Sequence, residues 1–168
     1  GYSHVLEWGG FGFVNEGKFF KPQSLATDDE QNIYVTDSGN AKVQKFTSDG
    51  KFLLSWGTNG EEDGQFLFPT GIATFENFVY VLDEKQFTVQ KFDSDGNFIL
   101  KWGEFGYKPG QLNMAKGITV DSNGIVYVAD TVNHRIQQFT ADGEFISSFG
   151  KYGFADGGLK TPVDIAIS

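Results

Sequence analysis

Several landmarks recur along this chain in a single register, and that repetition restricts the fold more than composition does. Tyr34-Val35-Thr36-Asp37, Tyr80-Val81-Leu82-Asp83 and Tyr127-Val128-Ala129-Asp130 follow one another at steps of 46 and 47 residues. Val43-Gln44-Lys45-Phe46, Val89-Gln90-Lys91-Phe92 and Ile136-Gln137-Gln138-Phe139 keep the same steps, as do the turns Asp49-Gly50, Asp95-Gly96 and Asp142-Gly143. A hydrophobic run closes on Trp8-Gly9, Trp56-Gly57, Trp102-Gly103 and Phe149-Gly150, and entry segments begin at Pro22, Pro69, Ala115 and Pro162. A fixed period of this size marks a stack of equivalent supersecondary units.

Each unit holds four short runs of strand character. In the last complete unit they are 117–121, 125–130, 136–140 and 145–149, separated by the turn signals Asp121-Ser122-Asn123-Gly124 and Ala141-Asp142-Gly143. Asn-Gly and Asp-Gly supply the positive φ that a tight hairpin needs. Helical faces at a 3.6 period are absent, and a β-helix has a shorter repeat. The expectation is an all-β β-propeller with complete four-stranded blades at 22–68, 69–114 and 115–161, and partial blades at 1–21 and 162–168. Residues 5–8 read as an isolated outer strand and 163–167 as an isolated inner one. Such loose ends imply either a longer chain that completes a ring or an open propeller whose copies associate edge to edge. Because Gly1 is not a translation start, the longer chain is the favoured alternative.

The pattern Asp-x-x-Asn-x-Arg-(Ile/Val)-Gln-x-Phe after Tyr-Val-x-Asp resembles the signature of NHL repeats. Asp130-Thr131-Val132-Asn133-His134-Arg135-Ile136-Gln137-Gln138-Phe139 matches throughout; Lys42 replaces the Arg in the first unit, and Gln86 and Thr88 replace Asn and Arg in the second. The inserts at 60–66 and 106–112 fit as well. The resemblance covers essentially the whole chain and implies a six-bladed ring. It also implies that the Arg bridges to groups near the repeat Asp, and that the location is extracellular or in a cell envelope. Function varies widely across such a fold.

Asp37, Asp83 and Asp130 are expected to be structural, accepting hydrogen bonds from turn amides. Trp8, Trp56 and Trp102, one per unit, are expected to pack between sheets. Enzymes on similar propellers need ligands this chain lacks. It has two histidines, His4 and His134, far apart in sequence, and no cysteine, so no metal or other cofactor is implied. The inner-strand segments Ser24-Leu25-Ala26-Thr27, Gly71-Ile72-Ala73-Thr74 and Gly117-Ile118-Thr119-Val120 are small and apolar. Asp93-Ser94-Asp95-Gly96-Asn97 has a hairpin's pattern; the twelfth position that a calcium loop would use is Glu104, which lies beyond a β-strand and not at a helix start, so no calcium is implied. The formal net charge is −9, and no unit is cationic. Although some NHL propellers of the TRIM type bind single-stranded RNA, nucleic acid is therefore not an expected partner. Membrane insertion is not expected either, since no apolar run approaches about 18 residues.

The long connections between units, 57–68, 103–114 and 150–161 among them, exceed what a minimal blade needs. They carry Phe66, Phe105, Tyr107 and Tyr152 and share a face with Phe87, His134 and Arg135. Those seven residues form the expected binding face of a non-enzymatic scaffold that takes a protein partner or self-associates. The competing readings are a propeller hydrolase or lyase whose catalytic residues lie in further blades, and a structural subunit.

Overall fold

The computed structural model describes residues 9–10 and 16–150. The expected loose strands at 5–8 and 163–167, together with Trp8 and Tyr152, lie outside the described residues. Among the described residues twelve strands run in chain order: β1 (Pro22–Thr27), β2 (Ile33–Asp37), β3 (Lys42–Phe46), β4 (Phe52–Trp56), β5 (Pro69–Phe75), β6 (Phe78–Asp83), β7 (Thr88–Asp93), β8 (Phe98–Trp102), β9 (Gly117–Val120), β10 (Val126–Asp130), β11 (Arg135–Phe139) and β12 (Phe145–Phe149). They form three antiparallel four-stranded sheets, β1–β4, β5–β8 and β9–β12, each in chain order. Tight turns carry the chain back and forth, so each sheet is a meander.

β5 packs beside both β1 and β9, which makes the first strand of each sheet the innermost. This is a propeller arrangement of blades, and among the described residues the three sheets do not close a ring. One register irregularity recurs between the third and fourth strands of every blade, at Lys45/Phe46, Lys91/Phe92 and Gln138/Phe139. Such bulges bend a strand and strengthen its twist.

The core lies in the seams between blades. Alternation along a strand sends successive side chains to opposite faces of the sheet, so the middle blade contributes to two seams, one with each neighbour. The first seam buries Tyr34, Val43, Phe66, Ile72, Val79, Val81 and Phe92; the second buries Tyr80, Leu82, Val89, Leu112, Ile118, Val126, Val128 and Phe139. Each fully buried side chain of this size contributes about 1.5–3 kcal/mol. Trp56 bridges the first seam, tilted against Phe92 at 5.4 Å between centroids, and Trp102 repeats this with Phe139 at 5.7 Å. Each indole lies over a hairpin glycine of the next blade. A Cβ on Gly96 would lie 2.6 Å from Trp56, and one on Gly143 would lie 2.5 Å from Trp102. The recurring Asp-Gly therefore serves the seam as well as the turn.

A polar clasp accompanies each indole. Lys45 Nζ donates to the Ser94 carbonyl at 2.9 Å, and Lys91 Nζ to the Ala141 carbonyl at 3.1 Å. The hydroxyls of Tyr34 and Tyr80 reach the same two carbonyls. Burial of both lysines is thus matched by hydrogen bonds onto the neighbouring turn.

Candidate functional site on the loop face

Within each meander the turns fall at two ends. The hairpins β1–β2 and β3–β4, with their counterparts, lie at one end. The β2–β3 turns and the long blade-to-blade connections lie at the other, the loop face. The connection 104–112 is held there by side chains of the repeat signature. Asp130 is fully buried; its Oδ1 accepts from the Asn113 amide at 2.8 Å, and its Oδ2 from Arg135 Nε at 2.7 Å. The rest of the Arg135 fork donates to the carbonyls of Tyr107 (2.8 Å), Lys108 (3.0 Å) and Gln111 (2.8 Å). Asn133 Nδ2 donates to the Gly106 carbonyl at 2.8 Å and to Asp130 at 2.9 Å. The planar fork suits several acceptors at fixed angles, and these charge-assisted bonds are the strong kind.

The second unit keeps this frame without the Arg and the Asn. Gln86, one carbon longer than Asn, donates to the carbonyls of Gly60 (2.7 Å) and Gln65 (2.8 Å). Gln65 is the counterpart of Gln111, so Gln86 covers a carbonyl that Arg135 covers in the third unit. Asp83 accepts from the amides of Leu67, Phe68, Lys85 and Gln86. In the first unit Asp37 accepts from the Phe20 amide, Asn40 and Gln44.

The repeat glutamine is the frame residue that sequence reasoning passed over. Gln44, Gln90 and Gln137 are buried; their Oε1 atoms accept from the amides of Gly17, Gly64 and Gly110 at 3.0, 2.8 and 2.9 Å. Their Nε2 groups donate to the carbonyls of Lys18, Gln65 and Gln111. The available signal was a Gln at one fixed place in Val-Gln-x-Phe, polar where a strand flanked by Val and Phe has no other reason to be.

The connections 58–66 and 104–112 share one backbone. Asn59 bridges to Phe66 as Phe105 does to Leu112. Gln65 Oε1 accepts from the Glu62 amide, and Gln111 Oε1 from the Lys108 amide, each at 3.1 Å. Gly60 and Gly106 both have φ 155°, and a Cβ on either would stand 2.0 Å from the glutamine Oε1. What differs is the display. Asn59, Glu61, Glu62 and Asp63 on one loop correspond to Phe105, Tyr107, Lys108 and Pro109 on the other. Tyr107 is 76% exposed and Phe105 62%. Phe105 packs edge-on against Phe87 with centroids 5.0 Å apart. The loops flank the β6–β7 turn, which grips one through Gln86 and meets the other through Phe87.

The structure brings Phe87, Phe105, Tyr107 and Arg135 together around one connection, and His134 adjoins them on the β10–β11 turn with φ 55°. Two expected binding residues change role. Phe66 is fully buried, 5.8 Å from Phe92, and belongs to the first seam rather than to a surface. Arg135 spends its fork on Asp130 and three carbonyls, so it builds the face and does not present a cation.

Charge divides by face, not by blade. The hairpin end carries Asp28, Asp29, Glu30, Asp49, Glu76, Asp93, Asp95, Asp121, Asp142 and Glu144 against Lys51 and the turn-bound ammonium groups of Lys45 and Lys91, so it is predominantly acidic. The loop face mixes Glu16, Glu61, Glu62, Asp63, Glu84 and Glu104 with Lys18, Lys21, Lys85, Lys101, Lys108 and Lys116. Absence of a cationic blade therefore says little about the loop face, and the expected exclusion of nucleic acid loses its basis. At the hairpin end the Asp93 carboxylate is engaged by the amides of Asp95 and Asn97, each at 2.9 Å. Its burial raises the pKa, but the Asn97 side chain and these amides outweigh that and hold it below the ordinary value. Between the inner strands lies a groove of about 330 Å³ lined by Ser24, Leu25, Ala26, Ile72, Ala73, Thr74, Ile118, Thr119 and Val120. None of those side chains is an acid, a base or an activated nucleophile. No helix among the described residues is long and apolar enough to cross a membrane.

Comparison with known proteins agrees with this frame. The NHL repeat family model matches residues 19–46 and 112–139, the two units that keep Asn40 and Asn133. The protein brain tumor of Drosophila melanogaster is 35% identical over 71 residues, covering 42% of this chain and 7% of that protein. Among solved structures, Kuenenia stuttgartiensis hydrazine synthase is similar with TM-score 0.62 and 14% identity, over 82% of this chain and 37% of that one. A streptogramin B lyase is similar with TM-score 0.61 and 19% identity, over 77% and 40%. At such identities the structural likeness concerns the fold alone, and this chain spans less than half of each of these proteins. The family model thus identifies NHL repeats in the first and third units of this β-propeller chain, and the same frame is rebuilt around Gln86 in the second.

Proposed function

We propose that this chain is a non-enzymatic binding module whose loop face receives a protein partner. The observation that carries the reading is the shared frame of the two connections. Loop 58–66 forms the same backbone with Asn59 and Glu61 at the places of Phe105 and Tyr107. Folding therefore does not account for Tyr107, and it uses only the edge of Phe105 that meets Phe87, leaving most of both aromatic groups exposed to water on loop 104–112. Exposed aromatics held on a rigid support are the usual anchors of protein interfaces. The inner groove supports the same reading, since its lining offers no group for acid–base or nucleophilic chemistry.

The test is affinity capture from an extract of the source cells with wild-type chain, Tyr107→Glu and a hairpin-end control, Asp95→Asn. A protein enriched by wild type and by the control but lost on Tyr107→Glu is the expected result. Equal enrichment on all three would place the interface elsewhere, and capture that vanishes on nuclease treatment would identify nucleic acid instead.

A further inference from the structure

We propose that the loop face takes an extended protein segment in which Lys or Arg side chains adjoin an apolar or aromatic one. The basic part sits on Glu61, Glu62 and Asp63, and the apolar part on Phe105 and Tyr107. This rests on the reading of the loop face as a protein-binding surface and adds the chemistry of the partner.

The acidic tip, like the aromatic one, is not needed by the frame: loop 104–112 has the same backbone with Tyr107, Lys108 and Pro109 at those places. Three consecutive exposed carboxylates repel one another. Lys101 Nζ pairs with Asp63 at 3.4 Å and donates to the Glu61 carbonyl at 3.1 Å, so one cation serves three carboxylates. Among the described residues Glu61 and Glu62 have no ion pair, and a partner's cations would relieve the repulsion. Both tips flank the same β6–β7 turn, tied to it through Gln86 and Phe87, so one continuous segment can meet both. A wholly acidic partner is repelled at the first tip, and a wholly polar one leaves Tyr107 uncovered.

Fluorescence anisotropy with three labelled twelve-residue peptides tests the proposal. One has an Arg block followed by a Phe/Leu block, one has Glu in place of Arg, and one has Ser in place of Phe and Leu. A labelled oligouridine serves as a fourth probe. The first peptide is expected to bind best. Glu61→Gln/Glu62→Gln should weaken it about ten-fold and flatten its salt dependence. Tyr107→Ser should weaken it by a similar factor with the salt dependence unchanged. Asp29→Asn/Asp95→Asn at the hairpin end should leave both quantities as they were. If Tyr107→Ser weakens binding and the Glu variant does not, the basic-segment inference falls while the loop-face reading stands. If neither variant weakens it, or only the hairpin-end variant does, both fall. Tighter binding of the Glu peptide or of oligouridine would also overturn the inference.

Discussion

At the scale of single residues, Arg135 shows how a side chain that looks available in sequence can be wholly committed in the fold. Three of its hydrogen bonds close loop 104–112, and the fourth engages the fully buried Asp130 beneath it. Arg135→Ala should cost about 2–3 kcal/mol. Hydrogen exchange should quicken at the amides of Gly106, Gln111 and Leu112, which bond within that loop, and stay unchanged at Gly60 and Gln65. Equal quickening in both loops would contradict independent frames. Tyr34 and Tyr80 offer a second check. Burial, then the hydrogen bond from its hydroxyl to Asp28, raises Tyr34 well above the ordinary value; burial likewise raises Tyr80, against the opposing effect of Lys91. A raised tyrosine favours the fold while neutral, so this stability is full below the ordinary pKa near 10 and is lost as pH rises through the higher folded values. Tyrosinate absorbance should therefore lag for some of the six tyrosines and rise with unfolding. Simultaneous titration of all six near pH 10 would refute the seam clasp.

At the scale of elements, the strands and turns were legible because alternation and Asp-Gly or Asn-Gly turns act locally. In the last unit the expected bounds differ from those observed by a residue at most. The frame was only half legible. Asp37, Asp83 and Asp130 stood out by their spacing, and the partner glutamines did not, because a polar residue inside a strand shows its purpose only when the neighbouring connection is folded over it. Gln86 and Thr88 read as a decayed signature in the sequence, whereas in space Gln86 takes over the carbonyl that Arg135 holds elsewhere. Gln86→Asn should lose one of its two carbonyl bonds and lower stability by about 1 kcal/mol, measurable by denaturant unfolding. No change would mean that the second loop does not depend on Gln86. Phe66 was misread for a related reason. It follows an exposed acidic run, and only the seam shows that its ring turns inward.

At the scale of the whole molecule, the blades separate two surfaces that the sequence interleaves every few residues. Summing charge along the chain merges an acidic hairpin end with a mixed loop face, and so obscures what each can bind. On the loop face, support and display are carried by different residues: Asp, Gln and Gly make the frame, and the tips are free to differ. The most direct test is the thermal unfolding of a chain in which the tip of loop 104–112 is replaced by that of loop 58–66: Phe105→Asn, Tyr107→Glu, Lys108→Glu and Pro109→Asp. The Phe87–Phe105 contact is then lost, a cost of about 1 kcal/mol. The expected result is a single cooperative transition lowered by roughly 2–4 °C. Failure to fold, or a fall of more than about 10 °C, would show that the aromatic tip is part of the fold and is not reserved for a partner.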